Sequence, residues 1–181
     1  MESATDLKRA MWRARRAYEL GRARRALVGF LPALVLVGVA CLFSDSPPWT
    51  FSLGLGMFLV GAAMLWQGRD LKHAVIPGVA AGCVPLMLVL CARHFGHACT
   101  GMSCTTLCMQ ACAVGGIVAG LAVASVGNAR RSGPGFWVAA SALAILTGAM
   151  ACACLGVSGV VGLALGYGAG LVPGLLRRVV A

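Results

Sequence analysis

Charge is scarce in this chain. Asp, Glu, Lys and Arg together make up 11% of its 181 residues, and only five of those are acidic. None of them stands in the middle of a long apolar run, so the usual mark of a proton-coupled or ion-coupled transporter is missing. The same scarcity leaves no acid/base pair and no hydrolytic triad on which an enzyme reading could rest. Hydrophobic residues instead reach 60% and the mean hydropathy is +0.88, far from soluble averages. The chain reads as an all-α polytopic membrane protein with little room for an extramembrane domain.

Six spans are expected, at residues 26–43, 49–66, 74–92, 105–126, 136–153 and 155–176. The connections between them carry turn and breaker residues, as in Ser44-Asp-Ser-Pro-Pro48 and in the stretch 127–135. Residues 136–176 contain no charge. At 1.5 Å per residue that run is about twice as long as one crossing needs, so it must fold back near residues 152–156 as a tight helical hairpin. A stripe of Gly156, Gly159, Gly162, Gly166, Gly170 and Gly174 in the last span recurs every three or four residues, which lets a neighbouring helix approach closely.

Orientation follows from the basic residues, which are retained near span ends on the cytoplasmic side. Fourteen of the fifteen lie in the N-terminal segment, in the second and fourth connections or in the tail, and only Arg93 lies on the other side. Both termini of the six-helix bundle are therefore expected in the cytoplasm. Residues 1–25 precede the membrane domain of residues 26–178. In a helix, Leu7, Met11, Ala14 and Tyr18 share one narrow apolar face among arginines. Such a segment either lies on anionic lipid or docks a cytoplasmic partner.

The chemically loaded part of the chain is residues 91–112, with five cysteines, two histidines and two methionines. On this topology Cys41, Cys91, Cys99, Cys104, Cys152 and Cys154 all fall at the outer face, joined by His94, His97 and Met102. Cys104, Cys108 and Cys112 descend one face of span 4 at intervals of four, whereas Cys83 sits mid-membrane. Three readings stand side by side. Thiolates with imidazole suit soft or borderline ions such as Cu(I), Zn, Cd or Hg, and the candidate ligands are Cys104, Cys108, Cys152, Cys154, Cys99, His94 and His97. Thiols on an oxidising side also pair as disulfides and report oxidants. Buried cysteine is, finally, a small apolar residue that packs well. His73, beside a lysine at the inner face, reads as interfacial.

The layout of six spans, with a cysteine at the start of span 4, another at the outer end of span 5 and a glycine-rich span 6 ending Leu175-Leu176-Arg177-Arg178, resembles the NrsF-type family of bacterial membrane anti-sigma factors. The resemblance is best over residues 104–178. It implies a protein of the bacterial inner membrane that holds an extracytoplasmic-function sigma factor there and releases it under stress, with outer cysteines involved. Cys104 or Cys108 would match the family's span 4 cysteine, and Cys152 or Cys154 the one before span 6. The chain departs from the family where Cys152-Ala-Cys154 replaces a His-Cys-Pro type motif.

The resulting expectation is a non-enzymatic regulator with no obligatory cofactor and no direct nucleic-acid contact. Leu7, Met11, Ala14 and Tyr18 would hold the sigma factor, and a metal or oxidant at the outer thiols would release it. Self-association is compatible with this. The competing expectations are a small soft-metal carrier and a structural subunit of a membrane complex.

Overall fold

Backbone polar groups in lipid must be satisfied within the segment, and a helix does this by itself. The apolar runs of this chain accordingly form helices. The computed structural model describes the backbone of residues 2–43, 47–68, 71–95, 102–152 and 156–180, with side chains described for all of these except 2–7, 93–95, 102–107 and 178–180. Among the described residues there are seven helices and no strand: α1 (Glu2–Phe30), α2 (Pro32–Leu42), α3 (Pro47–Gln67), α4 (Lys72–Phe95), α5 (Met102–Ala129), α6 (Pro134–Cys152) and α7 (Val157–Val180).

Five of these, α3 to α7, are long and apolar enough to cross a membrane, and a sixth crossing results if the bent pair α1 and α2 is one span. That bend corrects the expectation of an uninterrupted first span over residues 26–43. The chain turns by 43° between Phe30 and Pro32, with Leu31 and Leu34 making short i to i−3 bonds across the break. Pro32 is the cause, because it lacks an N–H and its ring collides with the preceding turn. α1 also runs without a break through residue 25, so the basic segment and the start of the first span are one helix.

Two ends of the bundle differ in chemistry. At one, the Arg22 guanidinium donates to the Gln67 carbonyl at 2.6 Å, Arg130 reaches the His73 carbonyl at 3.4 Å, and the Asn128 amide donates to the Gly174 carbonyl at 3.0 Å. These bonds gather the end of α3, the start of α4, the α5–α6 turn and the end of α7 at a basic end. Cys91, Cys152 and the start of α5 stand at the opposite end. On the peripheral helix α3, Trp49 and Trp66 are exposed and seventeen residues apart. That is about 26 Å along a helix, close to the hydrocarbon thickness at whose borders tryptophan concentrates.

α6 is the centre. Two thirds of its apolar window is buried within the protein, against 22% for α3. Its alanines leave room for neighbours: side chains at Gly78 and Gly82 of α4 would meet Ala140 and Ala144 of α6, and Pro85 lies between Gly115 of α5 and Gly148 of α6. The buried Thr147 hydroxyl is satisfied by the Leu143 carbonyl at 2.7 Å and the Met57 sulfur at 3.1 Å, so it packs without an orphaned polar group. The second half of the expected glycine stripe packs closely against α5, where Gly166 and Gly170 face the carbonyls of Ala113 and Ile117 and Gly174 faces Ala124, while Gly162 only touches Met109 at 4.0 Å and Gly156 lies in open space. Gly156 makes the expected reversal before α7 with φ of +69°, a region that glycine enters without steric cost.

Candidate functional site

Cys112 lies ten residues inside α5, about 15 Å from its start. Cys152 closes α6. The hairpin of α5 and α6 turns at residues 130–133, and seventeen residues separate Cys112 from Ala129 while eighteen separate Pro134 from Cys152. The two cysteines therefore reach the same depth on antiparallel helices. Their sulfurs join in a disulfide across a Cα–Cα distance of 6.2 Å, within the range such a bridge spans. Both residues are fully buried, within a core cluster that includes Leu86, Val89, Met150 and Leu163.

This pairing was not among those expected. Cys112 appears in the sequence as the third member of a file with Cys104 and Cys108, and Cys152 as the neighbour of Cys154. The signal that could have joined them was the count from the shared turn, which agrees to within one residue on the two helices. α5 overhangs the end of α6 by about ten residues, which puts Cys108 one turn beyond the bridge. Cys108 is buried and its thiol is free.

Of the expected metal ligands, the structure thus brings Cys152 to Cys112 and leaves Cys108 adjacent in sequence register. The side chains of Cys104 and His94 lie outside the described residues, as do Cys99, His97 and Cys154 altogether. Among the described residues no group of three or more His, Cys, Asp or Glu could hold a metal ion. A bridged sulfur is not a thiolate ligand, so the chemistry visible at this site is that of a thiol pair. Cys41, Cys83 and Cys91 carry free thiols; Cys91 is exposed at the cysteine end and Cys41 packs at the edge of the core.

At the basic end α1 extends away from the bundle. Residues 8–20 are exposed on every side, including Met11, Ala14 and Tyr18 of the expected partner face; the Leu7 side chain lies outside the described residues. The sequence reading passed over two more exposed apolar groups. Trp12 is covered on one face by the Arg16 guanidinium, 4.7 Å from its ring centroid, and Leu20 is open. An exposed pair between Arg15 and Glu19 at 3.2 Å spans one turn of the same helix. The arm is tied to the bundle through Arg22 and Gln67. Comparison with protein-family models, with curated proteins and with solved structures finds no match for this chain.

Proposed function

We propose that this chain is a multi-pass membrane regulator of the anti-sigma type, in which the redox state of a thiol pair at one end governs a protein held by the basic arm at the other. The Cys112–Cys152 bridge carries this reading. It favours an oxidant over a metal as the signal, because formation of the bridge removes both sulfurs as ligands. Two thiols give up two protons and two electrons to a peroxide or to another disulfide, and one S–S bond forms. The partner suggested by the NrsF-type resemblance is an extracytoplasmic-function sigma factor, and the contact is the exposed apolar side of α1 around Met11 and Tyr18. An apolar stripe on a helix is what a protein groove accepts. The dithiol form holds the partner and the disulfide form lets it go, since a signal shifts such an equilibrium only through a difference between the two forms.

Orientation supports the same assignment. Disulfides persist on oxidising sides, which agrees with basic termini in the cytoplasm and the cysteine end outside, in six crossings of a bacterial inner membrane. A variant whose single cysteine is Cys99 should react with a membrane-impermeant thiol reagent in intact cells. Reaction only after lysis would reverse the orientation.

The function is tested by co-purification with the sigma factor. The reduced protein should retain it and the oxidised protein should retain about tenfold less or lower, the range in which allosteric couplings fall. Met11→Asp with Tyr18→Asp should abolish capture in both forms, because buried interface anchors each contribute more than about 1 kcal/mol. Equal capture by the two redox forms would sink the coupling, and undiminished capture by the double variant would sink the role of the arm.

A further inference from the structure

The bend at Pro32 leaves a cleft between the α1–α2 joint and α4. It encloses about 580 Å³. Phe30, Pro32 and Leu36 form one wall and Val75, Ile76 and Val79 the other, with Gly29, Ala33 and Ala80 too small to fill the space between them. The mouth, at the basic end, carries Arg22, Arg25 and Lys72. Arg22 is already fixed by its bond to the Gln67 carbonyl, which uses one of the five donors on its guanidinium. No carboxylate among the described residues lines the cleft.

We infer that this cleft is a binding site for one anionic phospholipid. Three cations, with no carboxylate among the described lining residues, match a phosphodiester headgroup, and guanidinium geometry suits phosphate oxygens. The walls below them match an acyl chain. A water-filled cleft of this shape would leave apolar walls wet and cations mutually repelling, and a lipid removes both penalties together. Basic pockets between membrane helices near the headgroup level bind such lipids. Ile76, 79% exposed on the wall of the cleft, is the residue that the acyl chain would cover. The inference does not depend on the sigma-factor reading, since the site is complete within the chain.

The test is native mass spectrometry of the full chain in mild detergent, titrated with phosphatidylglycerol, with phosphatidylcholine of the same acyl chains and with glycerol phosphate. Phosphatidylglycerol should bind in a one-to-one ratio and much more tightly than phosphatidylcholine, with glycerol phosphate failing to displace it. Arg25→Gln with Lys72→Gln, which leaves the Arg22–Gln67 bond intact, should weaken binding about 25-fold, at about fivefold per cation near a headgroup. Ala80→Trp should fill the groove and abolish binding while keeping every charge. Arg9→Gln with Arg13→Gln removes the same charge from the exposed arm and should change the affinity less than about twofold. The proposal is overturned if the arm variant loses as much as the mouth variant, if the two lipids bind alike, if glycerol phosphate competes at lipid concentrations, or if the cleft is closed by a second copy and the protein appears as a dimer that excludes lipid.

Discussion

Gly120→Leu should leave no folded bundle, and Gly120→Ala should lower its stability by about 2–3 kcal/mol, the upper part of the overpacking range. A side-chain carbon at Gly120 would overlap the Tyr167 carbonyl oxygen and approach the Leu171 nitrogen at 3.0 Å and the Gly170 carbonyl carbon at 3.1 Å. These are backbone atoms of a helix, so they cannot swing aside as the end of a flexible side chain would. The reciprocal contacts of Gly166 and Gly170 on Ala113 and Ile117 open as soon as the axes separate. Lipid tails are as apolar as leucine, so close packing of this kind, with its dispersion and Cα–H···O contacts, takes over the part that the hydrophobic effect plays in water. Gly168 provides the comparison. It is exposed on the other face of α7 with open space around it, and Gly168→Ala should be neutral or stabilising by up to about 1 kcal/mol. Helix content followed through a detergent denaturation series distinguishes the two. If both alanine variants unfold together, the α5–α7 contact is not the close one described.

Removal of either bridged cysteine should cost about 2–4 kcal/mol, the usual range for a disulfide, and the 40-residue separation lies between loop lengths at which chain-entropy arguments predict the upper half of it. The sharper expectation concerns the combination. Cys112→Ala and Cys152→Ala remove the same bond, so the double variant should be little less stable than either single one, far short of the sum. Cys83→Ala, at a free thiol, should add independently to both. Peptide mapping of the unreduced protein should recover the Cys112 peptide joined to the Cys152 peptide. Recovery of both as free thiols from oxidised protein, or strict additivity of the two substitutions, would remove the bridge and with it the observation on which the proposed regulation stands.

The five apolar helices α3 to α7 were legible because they are long runs without charge, and residues 136–176 announced their hairpin by being too long for one crossing. Those five helices end within a few residues of the expected bounds, whereas the first expected span is divided between α1 and α2. The position of each helix in the bundle was not legible in the same way. α4 has the highest mean hydropathy of the spanning helices, 2.3 against 1.7 for α6, yet α6 is the more buried, 67% against 44%. In water, hydropathy ranks burial; in lipid an apolar side chain is equally at ease facing outward, so the ranking passes to size, and the alanines of α6 were the cue. Gly166, Gly170 and Gly174 of α7 were read correctly for that reason, while Gly78 and Gly82 on α4, which follow the same logic in a shorter stripe, were overlooked. At the candidate site, regular spacing drew attention along one helix, from Cys104 to Cys112, when the bond runs between helices. The break at Pro32 was missed because a single proline inside a hydrophobic run leaves the run's average unchanged.

Gly68 stands where α3 ends, with φ of +70° and the Arg22 guanidinium packed so close that any side chain at Gly68 would displace it. Twenty residues of α1 lie beyond Arg22, an arm of about 30 Å. A helix of that length magnifies a tilt of its root: about 10° there carries the tip through about 5 Å, comparable to one helical turn of rise. The aim of the arm is thus set at its root, where the Arg22–Gln67 bond adjoins the buried Ala26 and Phe30 of the same unbroken helix, and any tilt of that root reaches the far end of the arm magnified.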